Sequence, residues 1–298
     1  MKARRPSLHH DNTTSLLQYD IAAQAAAAQV ITQYSTSFNL GARLLPRAMR
    51  HHIESVYAMV RVADEVVDTY RGPAARAVLD DFETEIHQAL ERGFSANLVA
   101  HAFSKTATAV GIGIEQITPF FTSMRMDLDT SSHNDESFSE YIYGSAAVIG
   151  EMCLAVFLNT GKGPQPLPAE SVAGARALGN AYQKVNFLRD LATDDGELGR
   201  SYFPGVTAAN LTDETLAGLV ADCRADIATA QTCLPSLPRR ARIAVETTVD
   251  IYARLLDDIA ATPAAKLVSR RVRVRNSTKL VMAARNACPW TSMHRSAA

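Results

Sequence analysis

Cysteine is scarce in this sequence, with four residues among 298. The four are Cys153, Cys223, Cys233 and Cys288. They form no CxxC pair, and no histidine accompanies them at the spacing of a zinc site. The pattern gives no support to a structural zinc site or a dithiol redox motif, so we expect reduced thiols.

Long apolar runs are also missing. The N-terminal stretch MKARRPSLHHDNTTS is basic but lacks the apolar segment of a signal peptide. No window approaches the roughly 18 consecutive apolar residues that a membrane-spanning helix needs. These features predict a soluble, cytoplasmic protein.

Acidic residues are absent from the last part of the chain, after Asp258. The formal net charge of −1 gives no bias toward nucleic acid, and we expect no nucleic-acid partner. The basic residues of this last part are Lys266, Arg270, Arg271, Arg273, Arg275, Lys279, Arg285 and Arg295. Such a segment suits a diphosphate or an anionic lipid surface, although a solvated helix face is the commoner explanation. A peripheral position at the inner face of a membrane is therefore the alternative location.

Helical periodicity is what the sequence has in abundance. Apolar residues make up 47% of the chain and charged residues 20%, which is ample material for a core. No segment alternates apolar and polar residues for long, as a strand would. The apolar spacing predicts helices over 20–34, 47–70, 74–92, 95–110, 114–124, 136–160, 169–194, 212–233, 238–261 and 276–286.

The breaks between these helices are short and rich in glycine and proline. The longest is GKGPQPLP at 161–168, which is too short to separate independent domains. We predict one all-α domain over residues 20–287, with a flexible N-terminal tail at 1–19 and a C-terminal tail at 288–298.

One pair of aspartates, Asp64 and Asp68, lies one helical turn apart. Like charges at this spacing repel each other and weaken a helix. At 100° per residue, Arg61 falls on the same narrow stripe. The pair is therefore either solvated or arranged around a cation.

A second, longer polar stripe follows the same spacing. Its members, at i, i+3, i+7 and i+11, are Gln183, Asn186, Asp190 and Asp194. Both stripes run through otherwise apolar helices, so we expect them to line a cavity. A single DxxxD pattern is most often a solvated face. Two such pairs, each accompanied by arginine, are much harder to obtain by chance.

The side chains of the two stripes have the chemistry of a magnesium site. Carboxylate and amide oxygens suit Mg²⁺, which shares its coordination with phosphate, and Mn²⁺ is the alternative. Arg61 and Arg189 supply permanent positive charge for phosphate oxygens. Two facing stripes would hold metal ions with a diphosphate between them.

Four blocks of the sequence resemble the squalene/phytoene synthase family, the head-to-head trans-isoprenyl diphosphate synthases. The blocks are YSTSF at 34–38 with RLLP at 43–46, the segment 57–68, MRMDL at 124–128 with YIYG at 141–144, and the segment 183–204. They are ordered as in the family and span about residues 20–280. The resemblance implies a single-domain isoprenoid-synthase helical bundle around a central cavity, with Mg²⁺ and prenyl diphosphates bound inside.

The resemblance also implies roles for individual residues. The expected metal ligands are Asp64, Asp68, Asn186, Asp190 and Asp194, and the four aspartates are catalytic together with Tyr141 and Arg189. The expected substrate-binding residues are Ser35, Phe38, Arg61, Gln183, Asn186, Arg200 and Tyr202. Val148 and Gly150 are expected to line the prenyl cavity. From the sequence alone, core packing is the simpler explanation for Phe38, Met124 and Met126.

Two positions depart from the family pattern. Ala264 stands where the family often has a tyrosine before its C-terminal Arg-Arg block. Thr193 stands where a glutamate often precedes the last aspartate. Neither change removes an expected metal ligand, but both bear on the rearrangement step and hence on the product.

The resemblance implies condensation of two geranylgeranyl diphosphates to phytoene through a cyclopropylcarbinyl diphosphate, without NADPH. Squalene or dehydrosqualene synthesis from farnesyl diphosphate is the alternative within the same chemistry, and a terpene cyclase comes third. A non-catalytic assembly factor of the same fold is the alternative from another class. The presence of all four aspartates disfavours that class.

Overall fold

The computed structural model describes residues 12–70 and 72–287, without the side chain of Glu197. This part of the chain confirms the all-α prediction, and its only β-type pairing is an isolated bridge between Ser132 and Ser201. The α-helices are α1 Thr13–Tyr34, α2 Thr36–Arg43, α3 Arg47–Glu65, α4 Ala75–Arg92, α5 Leu98–Val110, α6 Ile114–Asp129, α7 Asp135–Ile142, α8 Val148–Asn159, α9 Ala169–Thr193, α10 Asp213–Cys233, α11 Arg239–Ala260, α12 Ala264–Leu267 and α13 Asn276–Ala287. Residues 1–11 and 288–298, which include Cys288 and Arg295, lie outside the described residues.

The first helix is longer than the sequence predicted. α1 begins at Thr13 rather than at residue 20, so the predicted boundary of the N-terminal tail falls inside it. Tyr19 anchors this extension, because its hydroxyl donates to the carbonyl of Ser95 at 2.9 Å. Its ring also packs on Phe94 and His101, with centroids 4.9 and 5.0 Å away. Long-range contacts therefore stabilise a turn whose own sequence is not strongly amphipathic.

Two short helices, α2 and α12, were not predicted from the sequence. Ser35 ends α1 in an extended conformation, and its hydroxyl then accepts from the N–H of Phe38 at 3.1 Å, as the N-cap of α2. α2 has eight residues and includes Gly41, and α12 has four residues. Neither is long enough to display a helical period in its sequence.

Within the residues that the structure describes, three π-helical turns continue the regular helices. They span Val66–Tyr70 after α3, Tyr143–Ala147 between α7 and α8, and Asp194–Leu198 after α9. Turns of this kind occur frequently at functional sites. Asp68 and Asp194 lie on two of them. The second aspartate of each pair therefore belongs to a π-helical turn, which is wider than the α-helical turn implied by 100° per residue.

The core consists of two large clusters of buried apolar side chains that share one cavity. One cluster unites α3 to α6 with α8, and the other unites α9 to α11. Val56 and Met124 of the first cluster and Val245 and Leu255 of the second also line the cavity. Phe157 on α8 contacts both clusters. The cavity is therefore part of the core.

Glycines allow α9 to approach the helices of the first cluster closely. A Cβ atom on Gly150 would lie 2.2 Å from the carbonyl oxygen of Ala175, and one on Gly179 would lie 2.3 Å from that of Ala146. Any larger side chain at either position would push α9 away from its neighbours. The position of α9, which carries the second polar stripe, thus depends on glycine at both places.

One helical stretch among the described residues, Asp135–Asn159, is long and apolar enough to cross a membrane by length and composition. However, 67% of its most apolar window is buried inside the protein. Its packing against α3, α6 and α9 accounts for its apolar character.

Candidate active site

A large cavity within the described part of the chain brings the two polar stripes together. Its volume is about 950 Å³, at the upper end of the range of roughly 300–1,000 Å³ for ligand pockets. The predicted site residues in its wall are Ser35, Phe38, Arg61, Asp64, Asp68, Tyr141, Gln183, Asn186, Arg189, Asp190, Asp194 and Tyr202. Residues far apart in the sequence thus share one site.

Two residues predicted to reach the cavity lie elsewhere. Arg200, predicted to bind substrate, is buried behind Asp68 rather than in the wall. Val148, predicted to line the prenyl cavity, is buried in the first apolar cluster, whereas Gly150 lines the cavity as predicted. Residues two apart on a helix point about 200° away from each other. Val148 and Gly150 therefore cannot both face the same space.

Arginines contact Asp64, Asp68 and Asp190. Asp68 accepts from Arg200 at 2.6 Å. Asp190 accepts from Arg189 at 2.6 Å and from Arg271 at 2.7 Å. On α3, Arg61 lies 3.8 Å from Asp64 and pairs more closely with the neighbouring Glu65. Three of these arginines share the cavity wall with the carboxylates, and Arg200 holds Asp68 from behind it.

The two aspartate pairs also lie within electrostatic reach of each other. Burial and the neighbouring Asp68 raise the pKa of Asp64 to about 8. Burial, Asp190 and Asp68 raise the pKa of Asp194 to about 7. Asp68 therefore acts on both motifs, because α3 and α9 face the same space. The carboxylates of the two motifs therefore repel each other, which favours a cation between them.

The oxygen-bearing side chains of the cavity wall fit a hard divalent cation, although they do not yet lie at coordination distance around one point. Within residues 12–70 and 72–287, no group of three His, Cys, Asp or Glu side chains is close enough to hold a metal ion as it stands. The chemistry nevertheless matches Mg²⁺, since four carboxylates and the amide of Asn186 line one cavity. The carboxylates also repel each other, and a bound cation would relieve that repulsion.

The raised pKa values of Asp64 and Asp194 predict how the stability of the metal-free protein depends on pH. A carboxyl whose folded pKa lies above its ordinary value of 3.8 destabilises the fold once it ionises. In EDTA, the contribution of these two groups should lower Tm as the pH rises from about 4 to 8, and Asp64→Asn should flatten that slope. Added Mg²⁺ should raise Tm more at pH 8.5 than at pH 6, because the cation competes with protons.

The exposed residue Asp257 offers a control for this measurement, since Asp257→Asn should leave the slope of Tm against pH unchanged. A slope that is unaffected by Asp64→Asn would contradict the prediction.

Aromatic side chains build the wall next to the diphosphate-binding candidates. Phe38 packs against Tyr57, Tyr182 and Tyr252 with ring centroids 5.8–6.2 Å apart. The hydroxyl of Tyr252 donates to the side-chain oxygen of Asn186 at 3.3 Å. Phe38 therefore both packs and lines the cavity, so the two sequence-based explanations for it are compatible.

The two departures from the family pattern lie away from the cavity wall. Ala264 is buried, and its N–H donates to Asp213 at 2.7 Å. Thr193 is exposed at the end of α9. Because Tyr252 reaches the wall from α11, a phenol stands beside Asn186 without a tyrosine at position 264.

The similarity of this chain to known proteins identifies its family. A sequence profile described as squalene/phytoene synthase matches residues 31–278, which is most of the chain. The chain belongs to the squalene/phytoene synthase family. Members of this family act on prenyl diphosphates with a divalent metal, which agrees with the oxygen donors and arginines gathered here.

The aligned regions of curated family members are about 30% identical to this chain. The 15-cis-phytoene synthase of Synechocystis sp. is 30% identical over 85% of this chain and 81% of its own length. The phytoene synthase of Mycobacterium bovis is 29% identical, over 83% and 85%. Phytoene synthase 1 of Solanum lycopersicum, a chloroplastic protein, is 30% identical, and the match spans 65% of its length.

Solved structures of family members show the same fold. A dehydrosqualene synthase in complex with ligand aligns with a TM-score of 0.76 over 94% of this chain and 99% of its own, at 21% identity. A squalene synthase from Alicyclobacillus acidocaldarius aligns with a TM-score of 0.70 over 80% and 94%, also at 21% identity.

One mostly buried carboxylate of the cavity wall, that of Asp127, was not predicted as a site residue. Asp127 on α6 accepts from the hydroxyls of Tyr141 and Tyr202, at 3.0 and 3.2 Å. The ring of His133 stacks on Tyr202 and packs at a tilt against Tyr141. One signal was available, since an aspartate among the apolar residues of MRMDL is hard to place in a core without a partner.

Proposed function

We propose that this protein condenses two molecules of geranylgeranyl diphosphate head to head to phytoene, through a cyclopropylcarbinyl diphosphate, in carotenoid biosynthesis. The observation that carries the proposal is the single cavity. Both aspartate pairs line it together with Arg61, Arg189 and Arg271, and so do apolar side chains of two core clusters. The charged side chains of the cavity wall suit the diphosphate group of such a substrate, and the apolar side chains suit its prenyl chain.

The polar wall divides into metal-holding and diphosphate-holding residues. Asp64, Asp68, Asp190, Asp194 and Asn186 would hold Mg²⁺, with Mn²⁺ as a substitute. The bound cations would offset the charge that develops on a departing diphosphate. The residues that would bind the diphosphates directly are Ser35, Arg61, Gln183 and Arg189. Arginine is suited to this task because its guanidinium donates two parallel hydrogen bonds to phosphate oxygens.

The remaining wall would control the reactive intermediates. Apolar and aromatic side chains exclude water, which would otherwise quench an allylic cation. Tyr141 and Tyr202 present hydroxyls next to the first aspartate pair. No His base lies among the matched motifs, so we assign the final proton to the released diphosphate. The step needs no reductant, and we expect no requirement for NADPH.

Two alternatives use the same site. Squalene or dehydrosqualene synthesis from farnesyl diphosphate needs the same polar wall but a shorter apolar space, and a terpene cyclase needs one diphosphate instead of two. The phytoene synthases among the curated relatives, which match most of this chain, support the first choice. An assembly factor without activity would have no use for four aspartates in one cavity.

Product analysis tests the proposal. The purified protein is incubated with Mg²⁺ and either the C15 or the C20 diphosphate, each with and without NADPH, and the hydrocarbons are identified by mass spectrometry. We expect phytoene from the C20 substrate without NADPH. Squalene or dehydrosqualene as the main product, or a cyclised terpene, would replace the proposal with the corresponding alternative. The absence of metal-dependent diphosphate release would favour the non-catalytic class.

We also propose that the protein is cytoplasmic and contacts the inner face of a membrane peripherally, because a C40 hydrocarbon cannot leave into water. The rim of the cavity includes Arg271 and Arg273, and the next helix, α13, exposes 59% of Leu280 and 67% of Val281. Basic side chains beside exposed apolar ones suit an anionic lipid surface.

Vesicle flotation tests the membrane contact. We expect weak binding to vesicles that contain anionic phospholipid and release at high salt. The double variant Arg273→Gln/Arg275→Gln should bind less, since each basic residue near the surface contributes about 1 kcal/mol. Arg239→Gln/Arg240→Gln is the matched control, because it removes two exposed charges from the start of α11. Salt-independent binding, or equal loss in both variants, would contradict the proposal.

A further inference from the structure

Asp127 occupies an unusual position for a carboxylate. It lies on α6 among apolar residues and is 9% exposed. Its two oxygens accept from the hydroxyls of Tyr141 and Tyr202, as described above, and none of these contacts involves a metal-binding candidate directly. Two neutral donors are poor compensation for a buried negative charge, which calls for a cation nearby.

Arg200 is that cation, and it is shared. Its guanidinium nitrogen Nη1 lies 2.6 Å from an oxygen of Asp68 and 3.6 Å from one of Asp127. Its other terminal nitrogen donates to the carbonyl of Val67 at 2.8 Å, which fixes the plane of the group. Arg200 itself is 6% exposed. One buried arginine thus stands between a metal-binding candidate and a carboxylate that has no other assigned task.

Asp127 and Asp68 both line the cavity, and Arg200 lies behind the wall between them. Burial raises the pKa of Asp127 to about 7, and Arg200 acts in the opposite direction. Asp127, Asp68 and other neighbours keep the pKa of Arg200 above its ordinary value, so the arginine stays charged. With Asp127 in place, the positive charge of Arg200 is divided between two carboxylates. Without it, that charge would act on the metal-binding candidates alone, mainly on Asp68 and also on Asp194.

We propose that Asp127 is a positioning residue that acts through Arg200. It neutralises the guanidinium that clamps Asp68, so Asp68 is held in place while keeping the negative charge that a divalent cation requires. This inference rests on the proposed function, because it assigns a supporting carboxylate to the metal-binding wall. Asp127 itself touches neither metal nor substrate in this role.

The simplest competing explanation is that Asp127 only holds the two tyrosines in place. Asp127→Asn separates the two explanations, because asparagine keeps the shape and one acceptor oxygen but removes the charge. The double variant Asp127→Asn/Arg200→Gln removes one charge of each sign and leaves the local net charge as in the wild type. A purely structural role would make the double variant worse, whereas the proposed electrostatic role would make it better.

The measurement is the affinity of the full-length protein for Mn²⁺, with free Mn²⁺ quantified by electron paramagnetic resonance at pH 8. We expect Asp127→Asn to weaken Mn²⁺ binding by about tenfold, as a unit charge near a divalent ion would at intermediate dielectric. The double variant should return to within about threefold of the wild type. The Mg²⁺ concentration for half-maximal turnover should shift in the same direction for Asp127→Asn.

Glu151 provides the matched control. It is 5% exposed, pairs with Arg176 at 2.6 Å and lies on α8. Glu151→Gln removes a buried, arginine-paired charge away from the cavity wall and should lower Tm without changing Mn²⁺ affinity. Unchanged Mn²⁺ affinity in Asp127→Asn, or a double variant that binds Mn²⁺ more weakly than Asp127→Asn does, would overturn the inference. A wild-type protein with neither Mn²⁺ binding nor metal-dependent turnover would overturn the proposed function first.

Discussion

Asp64→Asn and Asp190→Asn should each reduce kcat/KM by about a hundred- to a thousandfold. Each substitution replaces a carboxylate ligand of a divalent cation with a weaker neutral one, in a wall where the remaining carboxylates cannot be rearranged freely. The two aspartates lie on different helices of one cavity, so both losses should be of similar size. Steady-state kinetics over a range of Mg²⁺ concentrations measures the effect.

Stability should respond differently in the two variants. Asp64→Asn relieves repulsion from Asp68, so the metal-free protein should be as stable as the wild type or more so. Asp190→Asn weakens pairs with Arg189 and Arg271 that are partly exposed, at a cost of about 1 kcal/mol or less. Near-native activity of either variant at limiting Mg²⁺ would show that the metal assignment for that motif is wrong.

A surface aspartate gives the matched control for these variants. Asp257 pairs with Arg224 at 2.9 Å, and more than half of each side chain is exposed. Asp257→Asn should leave kcat/KM unchanged at every Mg²⁺ concentration. A comparable loss of activity in this variant would point to a general effect of charge on the fold instead of metal binding.

The second large effect concerns Arg189. Its guanidinium lines the cavity and donates to both oxygens of Asp190, at 3.0 and 2.6 Å. Arg189→Lys keeps the charge but loses the two parallel donors that a diphosphate needs. Loss of one charge-assisted contact costs on the order of 1.5–3 kcal/mol, so we expect a ten- to hundredfold fall in kcat/KM. The affinity of the free protein for Mg²⁺ should change little.

The alternative for Arg189 is that it is only a partner of Asp190. The structure contains that contact, but the side chain is 23% exposed and faces the cavity, not open solvent. Kinetics and Tm of the Lys variant decide between the two, because a lowered Tm with unchanged kcat/KM would support the alternative. Arg254→Lys is the control, since Arg254 pairs with Asp258 at 2.9 Å on the outer face of α11. It should affect neither quantity by much.

Long helices were predictable because their apolar residues recur every three to four positions over many turns. α9 and α11, for example, begin and end within a residue or two of the predicted bounds. The first turns of α1 were not predictable, because Tyr19 is held by Ser95 and Phe94, which lie far away in the sequence. α2 and α12 are too short to show a period, and their ends depend on local capping.

The sequence alone determined the helical class and the chemistry of the polar stripes. A carboxylate spaced one turn from another must either meet solvent or face a cation, whatever the fold around it. Only the tertiary structure decided which charges meet. It placed Arg200 between Asp68 and Asp127, Arg271 on Asp190, and Val148 in the core instead of the cavity. These outcomes depend on distances between helices and on shielding from water, and neither is encoded in the spacing along one helix.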